Sequence, residues 1–141
     1  SWVYGMRGKN FLLTMMRLAA EREELRIVAD QHGAPTWCRT LADTTASILS
    51  QASGASDRAD WWRENSGLYH MTAQGATTWH GFADALLDQV AKKPALVPIS
   101  SNEYPVPAAR PANSRLACAT LMERFGHLPH WRDALALCQE A

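Results

Sequence analysis

The residues best equipped for chemistry are scattered, and most fail the spacing that chemistry requires. His127 and His130 form an H-x-x-H pair with Cys138 downstream, which suggests zinc, but a fourth ligand is wanting and the spacing does not match a zinc site. His70 and His80 read as structural. No G-x-G-x-x-G turn is present to seat a pyrophosphate, and no phosphate-binding G-K-[ST] follows a strand. G-x-S-x-G, H-E-x-x-H and a Tyr-x-x-x-Lys proton-delivery pair are also missing, so no catalytic residue is assigned. What remains is a set of polar loops, the first two carrying a glycine: Gly8-Lys9-Asn10, Asp30 to Thr36, and Arg110 to Ser114. These are shaped to hold a ligand, without a reaction centre among them.

The elements that carry those loops read as an α/β chain. Ser1-Trp2-Val3-Tyr4-Gly5 has the aromatic and β-branched character of a strand end. With no turn or cap before it, it reads as the entry to a later portion of a longer chain. From Phe11 to Glu24, Leu12, Met15, Met16 and Ala19 fall at helical spacing, and Arg17 and Glu21 stand one turn apart on the solvated face. Leu25 to Ala29 is β-rich, and Asp30 to Thr36 closes it as a turn. A second helix is predicted over Trp37–Gln51, broken by Ser53 to Asp57, with Trp61-Trp62 on a short exposed helical turn as a hydrophobic clamp or partner contact. Gly67 to Thr72 is a strand candidate. A helix begins near Thr78, capped by Thr77 or Thr78, with Trp79, Phe82, Leu86 and Val90 on one face; Lys92-Lys93-Pro94 ends it. Leu96 to Ile99 contains Pro98 and so is a short or edge strand. Tyr104 to Pro111 is an extended surface crossing, Arg115 to Phe125 a helix stopped by Gly126, and Pro129 opens a last helix with Trp131, Leu135 and Cys138 inward. Strands alternating with helices give the class.

Composition bounds the function further. The 141 residues hold 14 Lys and Arg against 14 Asp and Glu, so no cationic surplus exists to grip nucleic acid. With 47% hydrophobic and 20% charged residues the chain is a folded domain, not a disordered one. No apolar run reaches the roughly 18–20 residues of a membrane span. Three cysteines with no C-x-x-C pair fit a reducing, cytoplasmic setting.

Four segments in series resemble one family: Ser1-Trp2-Val3-Tyr4-Gly5 with Gly8-Lys9-Asn10-Phe11; Asp30-Gln31-His32-Gly33-Ala34-Pro35-Thr36; Gly67-Leu68-Tyr69-His70; and Tyr104 to Leu116, ending in Arg-Pro-x-Asn-Ser-x-Leu. Their order and spacing are similar to those of dTDP-4-dehydrorhamnose reductases, extended short-chain dehydrogenases, over essentially the whole chain. The resemblance implies that residues 1–141 are the C-terminal half: the sugar-nucleotide-binding lobe plus the last elements of the Rossmann-like fold. The cofactor-binding half, with its glycine-rich turn and a Tyr-x-x-x-Lys pair roughly 20–25 residues before Trp2, then lies elsewhere. In such a reductase NADPH or NADH reduces the C4 ketone of the sugar to give dTDP-L-rhamnose; some members require Mg²⁺.

The resemblance also implies roles. Trp2 is the flat wall that orients the deoxysugar, and Ser1, at the same strand end, lines the cofactor. Asn10 and Phe11 lie near the diphosphate and base. Gln31, Pro35 and Thr36 belong to the loop closing over the nucleotide, with Gly33 allowing close backbone approach. Arg110 binds the diphosphate, and Asn113 and Ser114 pin its loop. Two departures stand out: the connection between Ser50 and Ser66 is longer than a minimal member's, and Ala109 replaces a common basic residue. The expected partners are a dTDP-sugar, the N-terminal half and, compatibly, a second copy in a homodimer, with neither nucleic acid nor membrane. The chain alone is expected to bind no cofactor and to be inactive. Two other functions fit the same segments: a non-catalytic relative resembling the regulatory β subunit of methionine adenosyltransferase, and a generic α/β interaction domain.

Overall fold

The computed structural model describes residues 1–141. Strand β1 (Val3–Tyr4) leads into helix α1 (Phe11–Glu21), whose start is fixed by Asn10. The Asn10 Oδ1 accepts from Leu13 N at 3.2 Å, and its Nδ2 donates to the carbonyls of Gly5 at 2.9 Å and Arg7 at 3.2 Å. Leu12, Met15 and Ala19 form its buried stripe, and the Arg17–Glu21 pair closes at 2.8 Å on the solvent side. The helix stops at Glu21, three residues before the expected end. Arg22 is extended, and the β-ladder claims the chain from Glu23, whose carbonyl accepts from Ala95 N at 2.8 Å.

Strand β2 (Glu24–Val28) alternates exposed and buried residues and pairs in parallel with β6 (Ala95–Ile99) over five residues. Pro98 is tolerated because β6 has a neighbour on one side only. The turn Asp30–Thr36 is partly regular: β3 (His32–Gly33) pairs antiparallel with β5 (Thr77–Thr78), and β4 (Thr36–Trp37) pairs in parallel with β1. Helix α2 (Cys38–Gly54) follows. The Trp61-Trp62 turn is a full helix, α3 (Arg58–Asn65), started by the Asp57 carboxylate accepting from Asp60 N at 3.0 Å.

Thr78, not Thr77, caps α4 (Trp79–Leu87) through its hydroxyl. After a 3₁₀ turn at Ser101–Glu103 come the exposed crossing, α5 (Ala119–Phe125) and α6 (Trp131–Glu140). Helix α5 starts four residues later than expected, because Asn113 Oδ1 accepts from both Arg115 N and Arg115 Nε and holds the chain in a local turn. The His130 ring caps α6 through Arg132 N at 3.3 Å.

Gly67 to Thr72 is not a strand. No ladder forms along it, and Leu68 is 88% exposed; the nearest pairing is a single bridge between Gln74 and His130. A strand exists only where a second backbone meets it, and the chain supplies none there. The main core lies where α1, α4 and α6 cover β2, around Leu12, Leu25, Phe82, Leu86 and Trp131. A smaller one gathers Cys118, Leu121 and Leu128 beneath Tyr69 and Phe125.

Candidate functional site

Four of the expected site residues meet at one place, and the residue that joins them is Trp79. Its indole stacks on that of Trp2 with ring centroids 3.7 Å apart and planes 13° from parallel. Phe11 tilts against the same ring at 4.7 Å. Gln31 accepts the Trp79 indole N–H through Oε1 at 3.2 Å. Gly33 lies under the benzo edge of Trp2, so close that a Cβ there would fall 2.5 Å from the indole Cε2 and 2.9 Å from Ser114 Oγ. Glycine is required at this point by close approach, since a methyl group would have to move the indole. Sequence reasoning assigned Trp79 to the apolar face of α4; its place directly after the Thr78 cap, with a polar N–H on a large ring, was the available signal.

Trp2 is the one non-glycine residue with positive φ, at +51°. A bulky side chain in the left-handed region costs on the order of 1–3 kcal/mol and persists only where its surroundings over-determine it. Here the Trp2 carbonyl accepts from Thr36 N at 3.1 Å, and the ring is stacked on one face by Trp79. An aromatic pair contributes about 0.5–1.5 kcal/mol beyond its buried area, enough to offset much of that strain.

The loop around Gly33 is fastened from both sides. His32 N donates to Ala112 O at 2.8 Å, Ser114 N returns to His32 O at 2.9 Å, and Ser114 Oγ reaches the same carbonyl at 3.1 Å. The Asn-Ser end of the long crossing is thereby pinned to β3. Pro35 and Thr36 lie beneath the surface. The Thr36 hydroxyl donates to Ala34 O at 3.0 Å and accepts from Ala73 N at 3.1 Å. Asn10 spends its amide on capping α1, so its neighbour Phe11 alone carries that segment's contact with the ring cluster. Ser1 is exposed, its hydroxyl 3.5 Å from Ser114 O.

Charge enters at two points. Asp30 receives Ser101 Oγ at 2.6 Å and Ser101 N at 2.8 Å; these bonds, the hydroxyl first, hold its carboxyl below the usual carboxylate range. Arg110 is exposed and forms no hydrogen bond or ion pair within the chain, two residues before the Ala112 anchor. The structure does not bring its side chain into the Trp2–Trp79 cluster. A guanidinium left free beside a pinned loop can take a diphosphate in a bidentate grip. Trp61 and Trp62, edge to face at 4.8 Å, lie in a separate aromatic corner with Phe125.

The architecture recurs in proteins of known activity. A dTDP-4-dehydrorhamnose reductase of Burkholderia thailandensis is 52% identical over 147 residues, covering 98% of this chain and 48% of the relative. That of Escherichia coli K12 is 44% identical over 94% of this chain and 44% of its own length. A crystal structure of the Bacillus anthracis dTDP-4-dehydrorhamnose reductase in complex with NADP superposes with a TM-score of 0.85 at 30% identity, covering 99% of this chain and 46% of that one. The chain therefore spans about half the length of the relatives it matches. The model of the RmlD substrate binding domain matches residues 1–141 from end to end, and the chain belongs to that family.

Proposed function

We propose that this chain is the sugar-nucleotide-binding half of a dTDP-4-dehydrorhamnose reductase. The observation that carries the reading is the junction of Trp2, Gly33 and the Arg-Pro-x-Asn-Ser segment, fastened through His32 and Ser114, in a chain 52% identical to a named reductase along nearly its whole length. In the complete enzyme a reduced nicotinamide supplies hydride to the C4 carbonyl, and the NADP in the Bacillus anthracis relative supports NADPH in that role. This chain's residues do the holding. The face of Trp2 turned away from Trp79 meets the deoxysugar, Phe11 extends the apolar wall, and Arg110 takes the diphosphate. Gly33, Pro35 and Thr36 shape the loop beneath, and Asn10 sets the start of α1 beside it. Ser1 stands at the cofactor side, and the N-terminal half covers the apolar side chains of Val3 and Leu68, which are 50% and 88% exposed.

The test is the complete polypeptide that carries this chain, assayed for NADPH oxidation on addition of dTDP-4-dehydro-L-rhamnose. Turnover to dTDP-L-rhamnose is the expected result. A complete polypeptide that binds the dTDP-sugar without turnover, and has no Tyr-x-x-x-Lys pair upstream of Trp2, would instead be a non-catalytic relative.

A further inference from the structure

We propose that Trp79 is the positioning residue for Trp2, oriented by a one-directional series of hydrogen bonds that starts at the Asp30 carboxylate and runs through Ser101 and Gln31. The inference rests on the sugar-nucleotide reading and identifies what decides where that site's leading aromatic side chain stands.

Each link has a fixed sense. The Asp30 carboxylate only accepts, so the Ser101 hydroxyl donates its single hydrogen to it, at 2.6 Å. The hydroxyl oxygen is left as an acceptor and takes Gln31 Nε2–H at 2.9 Å. With the amide nitrogen committed, Gln31 turns Oε1 the other way, where it meets the Trp79 Nε1–H at 3.2 Å. An indole N–H can only donate, so the far end enforces the same amide orientation as the near end. Gln31 is buried, and its amide cannot flip without breaking both bonds.

Trp79 is thus fixed along its edge by Gln31, at its backbone by the first turn of α4, and on its flank by Phe11. The face it presents is the one Trp2 stacks on at 3.7 Å. The Trp2 backbone, at φ +51°, is held by its carbonyl accepting from Thr36 N, which leaves the plane of the ring to its side-chain neighbours. Gly33 limits how far its ring can slide, and Trp79 sets its plane. Gln31 acts through this wall, because both ends of its amide are already engaged.

The test uses the complete polypeptide labelled with 5-fluorotryptophan, the Trp2 and Trp79 resonances being assigned by Trp2→Phe and Trp79→Phe. Trp79→Leu removes the stacking ring: the Trp2 resonance is expected to move and broaden, and KM for dTDP-4-dehydro-L-rhamnose to rise about tenfold with kcat held within about twofold, the pattern of lost uniform binding. Trp79→Phe, which keeps a ring, should recover most of that KM. Gln31→Met, which keeps the volume but neither hydrogen bond, should move both resonances and give an intermediate KM. A Trp2 resonance unmoved in Trp79→Leu, with the other fluorine signals in place, overturns the proposal. If Trp79→Leu does not fold, Gln31→Met decides it, and unmoved signals there are equally fatal. Failure of the functional reading is separable: the wild-type Trp2 signal would then not respond to dTDP-L-rhamnose, whatever the variants do to its position.

Discussion

Two neighbouring regions of this chain are built in opposite ways. The indole wall is held by bonds that each need the next: Asp30 to Ser101, Ser101 to Gln31, Gln31 to Trp79, Trp79 to Trp2. The crossing from Tyr104 to Arg110 is exposed throughout, yet it is tied at one end by the 3₁₀ turn and Asp30, and at the other by Ala112 and Ser114 on His32. Proline at positions 105, 107 and 111 limits what the crossing can do without fixing it to the surface. On the proposed function, the contrast suits two tasks. An aromatic surface that must meet a sugar ring at one distance gains from being built before the ligand arrives. A guanidinium that pairs with a mobile diphosphate gains from freedom to follow it, and lies on a strap whose anchors keep it within reach.

That contrast predicts where substitutions will be felt. The largest effect on binding belongs to the strap: Arg110→Ala should weaken dTDP-sugar binding by about 1.5–3 kcal/mol, as removal of a charge-assisted contact does. Its unfolding free energy should stay within about 0.5 kcal/mol of wild type, as for surface positions generally. Calorimetric titration beside a urea melt reads both, and a stability loss without an affinity loss would invert the two roles. Next is a change beneath the wall. Thr36→Val keeps the shape but strands the buried Ala73 N–H and Ala34 carbonyl, costing about 1–3 kcal/mol. A urea midpoint equal to wild type would show that this loop is not held from below.

The smallest effect is a pH dependence. The folded-state pKa of Asp30 lies below its ordinary value because Ser101 hydrogen-bonds the charged form. The stabilisation is therefore present above the unfolded pKa of about 3.9 and is lost as pH falls through the lower folded value. The stability gap between wild type and Asp30→Asn should narrow below about pH 4, and only modestly, because the carboxylate is solvent-exposed. A gap that stays constant to pH 2 would show that the Asp30 charge contributes nothing to anchoring Ser101.

Much of the scaffold was legible because it rests on short-range physics. The stripe of Leu12, Met15 and Ala19 located α1, the Thr-Thr pair located the start of α4, and Pro98 marked an edge strand. The misreadings came where distant backbone decides. Arg22-Glu23-Glu24, at the end of the expected first helix, is helical by pattern but is drawn into the ladder by Ala95. Gly67 to Thr72 has strand composition and no partner strand. Of the site, the loops were visible as loops, and the family resemblance pointed to Trp2, Gly33 and Arg110. It also gave Asn10, Gln31 and Thr36 to the ligand; the structure adds that each hydrogen-bonds within the protein, a task that local spacing did not indicate.

Sequence by itself determined that helices form over the segments of α1, α2, α4, α5 and α6 and that Gly126 ends α5, since spacing and side-chain type within a few residues suffice for these. Only the tertiary structure decided that residues 2, 31, 79 and 101 form one wall. Their association depends on where separate elements cross and on the direction in which each hydrogen bond can run, and neither is written in local spacing.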